Sequence, residues 1–151
     1  MVKYLDLVVI GVLITIGVFF QSFSVQSKGS TQGMYYQNVQ CSDNVELRKV
    51  SGLELDYAAS LEGVGDSFDL YFEVVNSNDV DMIIDNYVLQ KDDSYINYQL
   101  TYQDGSKIKH GDIIKSGEIK KIHYKVLYIK QIDNEDYSFD TSFSINYEQA
   151  I

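Results

Sequence analysis

Residues 67–76 read SFDLYFEVVN, and this stretch decides the fold class. Its apolar side chains occupy alternate positions, at Phe68, Leu70, Phe72 and Val74. The positions between them hold Asp69, Tyr71 and Glu73. Alternation of this kind predicts a strand that buries one face and wets the other. We therefore expect an antiparallel sheet with one solvated side.

The same alternation recurs along the rest of the chain. Clear examples occupy residues 95–102, 119–129 and 139–147, and weaker ones occupy 45–50, 53–57 and 82–89. Turn-forming pairs such as Asp104-Gly105 separate these runs, and no segment after residue 33 has a helical stripe. About seven short strands predict an all-β fold, an antiparallel two-sheet sandwich that is either jelly-roll or immunoglobulin-like.

Composition limits the size of the protein and its partners. The chain has 151 residues, which suits one domain, and its 13 tyrosines favour half-buried β surfaces. The formal net charge is −10. Binding to phosphate backbones needs a basic footprint, so we exclude nucleic acid as a partner.

The N-terminal segment has the features of an export signal. Lys3 precedes an uncharged run from Leu7 to Phe20, and Ser22 and Ser24 are small residues before Val25. A positive start, an apolar run and a small-x-small exit predict cleavage between Ser24 and Val25. The protein is then extracellular or held at the cell surface.

A retained hydrophobic helix is the alternative to cleavage. Residues 5–24 would then be the only contact with the membrane, although a spanning helix needs roughly 20 apolar residues. A third interpretation is a helix buried in the core. In each case a hydrophobic N-terminal helix precedes the sandwich.

The sequence divides into three parts. Residues 1–24 are a signal peptide or membrane anchor, 25–41 are a flexible exit segment or donor strand, and 42–151 are the sandwich. The second part contains strand-forming residues that could complete a neighbour's open sheet edge, namely Met34, Tyr35, Tyr36, Gln37, Asn38 and Val39. Pairing within its own domain is the other interpretation.

Catalytic and metal-binding patterns are sparse. The two histidines, His110 and His123, are 13 residues apart, and Cys41 is the only cysteine. No zinc motif, nucleophile elbow or phosphate loop occurs. We predict neither an enzyme nor a cofactor. Ca²⁺ is the one candidate ion, at the acidic loops 79–81 and 133–136.

Three stretches carry a resemblance to a known family. They are FDLYFEVVNSNDVDMII (68–84), YQDGSKIKHGDIIKSGEIKKIHYKVLYIK (102–130) and SFSINYEQA (142–150). Their pattern and strand order, over residues 45–150, resemble the TasA/camelysin-type secreted proteins of Gram-positive bacteria. The resemblance implies self-association into surface or biofilm-matrix fibres, in which one subunit donates an N-terminal strand to the next.

These observations predict a non-enzymatic secreted structural protein that forms or joins bacterial surface or biofilm-matrix fibres. Its partners would be other copies of itself, and other surface or matrix proteins. One alternative is a pilin-like or membrane-anchored filament subunit that retains the N-terminal helix. Another is an extracellular module that binds carbohydrate or peptide through the exposed tyrosines Tyr71, Tyr87 and Tyr137.

Overall fold

The computed structural model describes residues 20–23, 33–88, 94–131 and 137–150. Within these ranges the chain forms ten strands and two antiparallel sheets, which confirms the predicted all-β class. The strands are β1 (Phe20–Phe23), β2 (Met34–Ser42), β3 (Val45–Ser51), β4 (Glu54–Leu61), β5 (Ser67–Asn76), β6 (Met82–Val88), β7 (Ile96–Tyr102), β8 (Ile113–Ile114), β9 (Ile119–Tyr128) and β10 (Tyr137–Gln149).

The predicted N-terminal helix falls mostly on residues 1–19, outside the described residues. The one described part of the apolar segment, Phe20–Phe23, is a strand. Among the residues that the structure describes, no helix has the length and apolar character needed to cross a membrane.

The strands divide equally between the two sheets. Sheet A has the order β1-β2-β5-β9-β7, and sheet B has the order β3-β4-β10-β6-β8. The strand expected from residues 67–76 lies at the centre of sheet A, between β2 and β9. Its apolar set is buried as the alternation predicts, at Phe68, Leu70, Phe72 and Val74. Side chains of sheet B pack on its inward face, as Phe139 does on Phe68 and Phe143 does on Phe72, which explains why this strand has the clearest pattern.

Aromatic side chains fill the space between the sheets. Phe68 of sheet A contacts Phe139 of sheet B with ring centroids 5.2 Å apart, and Tyr124 stacks on Phe143 at 4.8 Å. The hydroxyls of Tyr57 and Tyr124 lie 3.4 Å apart in the same interior. Each phenol oxygen buried here needs a hydrogen-bond partner, because burying an unpaired polar group is costly.

Tyr36 joins the two sheets through its hydroxyl. Its side chain is buried, and Oη accepts a 2.9 Å hydrogen bond from the backbone N–H of Ile145 in β10. The register of β10 against β6 shifts between Asn146 and Tyr147, next to this donor. A buried N–H left without a partner would cost about 1–3 kcal/mol, so Tyr36 ties β2 firmly to sheet B.

The buried side chain of Asn76 joins three segments, namely the end of β5, the loop that follows it and the end of β8. Its Nδ2 donates to the carbonyls of Val80, Ile114 and Lys115 at 2.9, 3.0 and 3.1 Å. Its Oδ1 accepts from the backbone N–H of Asn78 at 3.0 Å. A turn ending the strand is expected from Asn-Ser-Asn-Asp at 76–79, but a fully buried amide at its start is not.

Candidate functional site

The N-terminal edge of sheet A is made by the segment predicted to direct export. Strand β1 pairs antiparallel with β2, in the register Phe20↔Ser42, Gln21↔Cys41, Ser22↔Gln40 and Phe23↔Val39. Ser24 and Val25, the predicted cleavage residues, lie outside the described residues. The predicted cut would therefore fall directly after the outermost strand of the sheet.

Strand β2 contains the six predicted donor residues, and it pairs with β5 of its own chain. Its inward side chains belong to the common core, at Met34, Tyr36, Val39 and Cys41. Met34–Ser42 is thus an integral strand of this sandwich. Donation of the same strand to a neighbour stays a prediction.

A bulge interrupts β2 where the outer face of sheet A forms a pocket. The register against β5 shifts between Gln37 and Gln40, so two residues of β2 face one of β5. Asn38 occupies this bulge with φ of 51°, in the left-handed region that asparagine tolerates better than most residues. Its side chain is thereby directed over the outer face of the sheet.

The carboxylate of Glu73 is held by two amides of β2. Its Oε2 accepts hydrogen bonds from Gln37 Nε2 at 2.9 Å and from Asn38 Nδ2 at 2.7 Å. Gln37 precedes the bulge and Asn38 lies within it, so the bulge and the carboxylate hold each other in position. Hydrogen bonds to an ionised acceptor are among the stronger ones in proteins.

His123 on β9 has an acid on one side and an aromatic ring on the other. Its Nε2 lies 2.6 Å from Asp69 Oδ1, and its ring stacks on Tyr71 with centroids 4.3 Å apart and planes 8° apart. The alternation of residues 119–129 predicts an outward side chain at position 123, and the structure confirms that orientation. The imidazole is half-buried and contacts both Asp69 and Tyr71 because β5 pairs with β9, which places Tyr71 opposite His123.

This trio does not have the geometry of a catalytic triad. In such a triad the second ring nitrogen of histidine faces a nucleophile's hydroxyl. Tyr71 instead presents its ring face to the imidazole. Tyr71 is therefore not placed as the nucleophile of such a triad.

The other tyrosines predicted for binding lie apart from this pocket. Tyr87 is half-buried and packs against the core, so it offers no surface platform. The side chain of Tyr137 lies outside the described part of the chain. Tyr71 alone of the three combines a described side chain with substantial exposure, at 36%.

Cys41 is buried beneath the edge of sheet A. Burial, and secondarily the charge of Asp43, raises the pKa of its thiol, which disfavours the reactive thiolate. Its Sγ lies 3.7 Å from the Val45 carbonyl oxygen, the geometry of a weak S–H hydrogen bond. These observations favour a structural role for Cys41 over a reactive one.

Candidate metal ligands are dispersed. Over the described ranges, no group of three or more histidine, cysteine, aspartate or glutamate side chains is placed to hold an ion. Asp81 of the predicted Ca²⁺ loop accepts a hydrogen bond from the Ser116 backbone N–H at 2.8 Å. The second predicted loop, 133–136, lies outside the described residues.

Comparisons with protein-family models, with curated proteins and with solved structures found no match to this chain. The resemblance to TasA/camelysin-type proteins therefore stays a prediction that rests on sequence pattern. The sheet edge and the outer pocket of sheet A are the features from which function can be argued.

Proposed function

We propose that this protein is a secreted, non-enzymatic subunit of bacterial surface or biofilm-matrix fibres. The observation that carries the proposal is the pairing of Phe20–Phe23 with β2, because those four residues lie inside the predicted export segment. The proposal also agrees with the family resemblance of residues 45–150.

Both export routes would remove β1 from sheet A. Cleavage between Ser24 and Val25 separates Phe20–Phe23 from the sandwich. Retention as an anchor places the same residues within the spanning run, because Leu7 to Phe20 alone is shorter than the roughly 20 residues that a bilayer needs. In either form β2 becomes an edge strand with unpaired backbone groups, the usual template for strand addition.

Strand β2 is also suited to exchange between copies. After cleavage it is the first strand of the sandwich, and only the two residues Asp43 and Asn44 separate it from β3. An end strand can leave one sandwich and enter the next without threading the chain. Exchange that runs head to tail builds a filament rather than a closed dimer.

We infer that the sandwich is closer to a jelly roll than to an immunoglobulin domain. From β4 to β10 every consecutive pair of strands lies in opposite sheets. In an immunoglobulin constant domain, about half of the connections join neighbours within one sheet. Repeated crossing between sheets is typical of a jelly roll, in which the end strands pack against strands distant in sequence.

A disulfide placed between β2 and β5 tests the exchange. Gln37 and Glu73 are direct register partners, so cysteines at both positions suit a disulfide, in a chain that begins at Val25 and carries Cys41→Ala. The matched control is Ser67→Cys with Leu127→Cys, which links β5 to β9 within one body. We expect oxidation before assembly to hold the Gln37→Cys/Glu73→Cys chain monomeric and to leave the control free to elongate.

The same two variants should also differ from each other when they are oxidised after assembly. Oxidation of preformed fibres should yield a ladder of covalent multimers for the β2–β5 pair and only monomers for the β5–β9 pair, on a non-reducing gel. Elongation of the pre-oxidised β2–β5 variant at the rate of the control would count against exchange, as would fibres whose disulfides all lie within single chains.

A further inference from the structure

We propose that the outer face of sheet A carries a binding groove for a neutral, linear oligosaccharide. A pocket of about 380 Å³ crosses strands β2, β5 and β9 and reaches Gln103 at the end of β7. This volume lies in the range of small-ligand sites. The inference concerns an activity other than strand exchange and goes beyond the fibre proposal, although β2 contributes to both.

Two rows of outward side chains form the walls of the groove. One row runs across the sheet through Gln40, Tyr71 and His123, which are consecutive register partners. The second row contains Glu73 and its register partner Lys121, extended by Asn38 and Gln103. Phe72 and Ile122 lie between the rows with buried side chains, so the floor there is backbone.

The dimensions suit a chain of linked rings. Neighbouring strands lie about 4.8 Å apart, so the distance from β2 to β7 is roughly 14 Å. The two rows are separated by two residues along each strand, which corresponds to roughly 7 Å. A groove that is longer than it is wide favours an extended oligomer over a single sugar ring.

Internal contacts hold the walls in place. The Tyr71 ring is supported by its stack on His123, which is itself fixed by Asp69. The Glu73 carboxylate is fixed by two amides of β2. Side chains that are ordered before binding lose little conformational entropy when a ligand arrives, and affinity improves for that reason.

The chemistry of the lining selects a polyhydroxylated ligand without net charge. Asn38, Gln40 and Gln103 each offer both a donor and an acceptor, which matches hydroxyl groups that also do both. The formal charges of Glu73 and Lys121 cancel, so the groove has no field that would attract a polyanion. The phenol ring of Tyr71 adds an apolar surface with a polar tip, suited to the C–H face of a sugar.

An extended peptide fits this groove less well. Peptides that dock on sheets pair with free backbone groups at an edge. The floor here lies between β2, β5 and β9, whose backbones already pair with one another. Side-chain hydroxyls and amides, rather than a backbone ladder, must therefore provide recognition.

Calorimetric titration of the full chain with neutral hexasaccharides tests the proposal. The probes are β-1,4-linked glucose, α-1,4-linked glucose and β-1,4-linked N-acetylglucosamine, with a charged hexagalacturonate as comparison. We expect saturable binding of at least one neutral probe and weaker binding of the charged one. Tyr71→Ala and Gln103→Ala should each weaken the affinity by about tenfold.

The control variants separate a binding defect from a folding defect. Tyr71→Phe keeps the ring and should retain most of the affinity, and Gln99→Ala, on the outer face of β7 beyond the groove, should bind as the unchanged chain does. Should Tyr71→Ala fail to fold, Gln103→Ala at the exposed end of the groove still decides the matter. Failure of every neutral probe to bind saturably would overturn the proposal, as would tighter binding of hexagalacturonate or unchanged affinity in Gln103→Ala.

Discussion

Replacing Asn76 with aspartate is expected to destabilise the sandwich by about 4 kcal/mol, because a buried carboxylate would face three carbonyl oxygens. The amide now donates to Val80, Ile114 and Lys115. An ionised acid can donate to none of them, and its buried charge would keep only the Asn78 backbone N–H as a hydrogen-bond donor. Urea unfolding at neutral pH measures the change in the free energy of unfolding.

The pH dependence of the stability of Asn76→Asp gives a second test of the buried carboxylate. Burial and carbonyl neighbours raise the pKa of such a carboxyl group above its unfolded value. The folded state then binds more protons than the unfolded state, so stability falls as pH rises through this range. The defect should therefore be smaller at acid pH than at neutral pH.

An exposed position provides the control for Asn76→Asp. Asn97 lies on the outer face of β7, and Asn97→Asp makes the same chemical change in solvent. It should alter stability by less than about 0.5 kcal/mol. A loss below about 1 kcal/mol for Asn76→Asp would mean that the buried amide does not hold the three segments together.

Alkaline unfolding is expected to be unusually steep. Burial raises the pKa of Tyr57 to about 12, those of Tyr36 and Tyr124 still further, and that of Tyr147 well above the ordinary value of 10.0. In the unfolded chain these phenols titrate near 10. Above that pH the unfolded state releases protons that the folded state keeps, so stability is lost as pH rises.

The size of this effect follows from the number of groups. Each buried tyrosine contributes about 1.4 kcal/mol per pH unit above its unfolded pKa, so four contribute about 5 kcal/mol per pH unit. A domain of this size has a total stability of about 5–15 kcal/mol. We expect cooperative unfolding within roughly one to three pH units above 10, accompanied by phenolate absorbance.

Single replacements of tyrosine by phenylalanine test whether the buried phenols cause the alkaline unfolding. Tyr124→Phe keeps the ring but removes one buried phenol, and it should lower the alkaline slope by about 1.4 kcal/mol per pH unit. The control is Tyr35→Phe, which removes a phenol from the outer face of β2 rather than from the space between the sheets. Retention of the folded state at pH values above about 13, or equal slopes in the two variants, would contradict this explanation.

The strands that the sequence predicts most clearly are those buried on one face along their whole length. Alternation around Phe68 and around Tyr124 identifies both the strands and their inward residues, and the structure confirms them. Strand β8 is only two residues long, too short for any period to be visible. Phe20–Phe23 continues an uncharged apolar run, in which a helix and a strand have the same appearance.

Features that depend on register could not be predicted from the chain alone. Tyr71, Glu73, Lys121 and His123 occupy outward positions in the predicted strands, but their grouping requires the pairing of β5 with β9. Gln103 and Asn38 join them only because β7 pairs with β9 and β2 pairs with β5. The buried position of Asn76 likewise depends on β8, a strand that the sequence does not reveal.

Imaging by electron microscopy of the chain that begins at Val25 tests the central claim most directly. That claim is that loss of the export segment, and with it Phe20–Phe23, leaves a sandwich whose β2 strand joins one copy to the next. We predict filaments of this form, and single particles when Gln37 and Glu73 are replaced by cysteine and oxidised beforehand. Uniform single particles of the unlocked chain, at every salt concentration and pH at which it stays folded, would contradict the account.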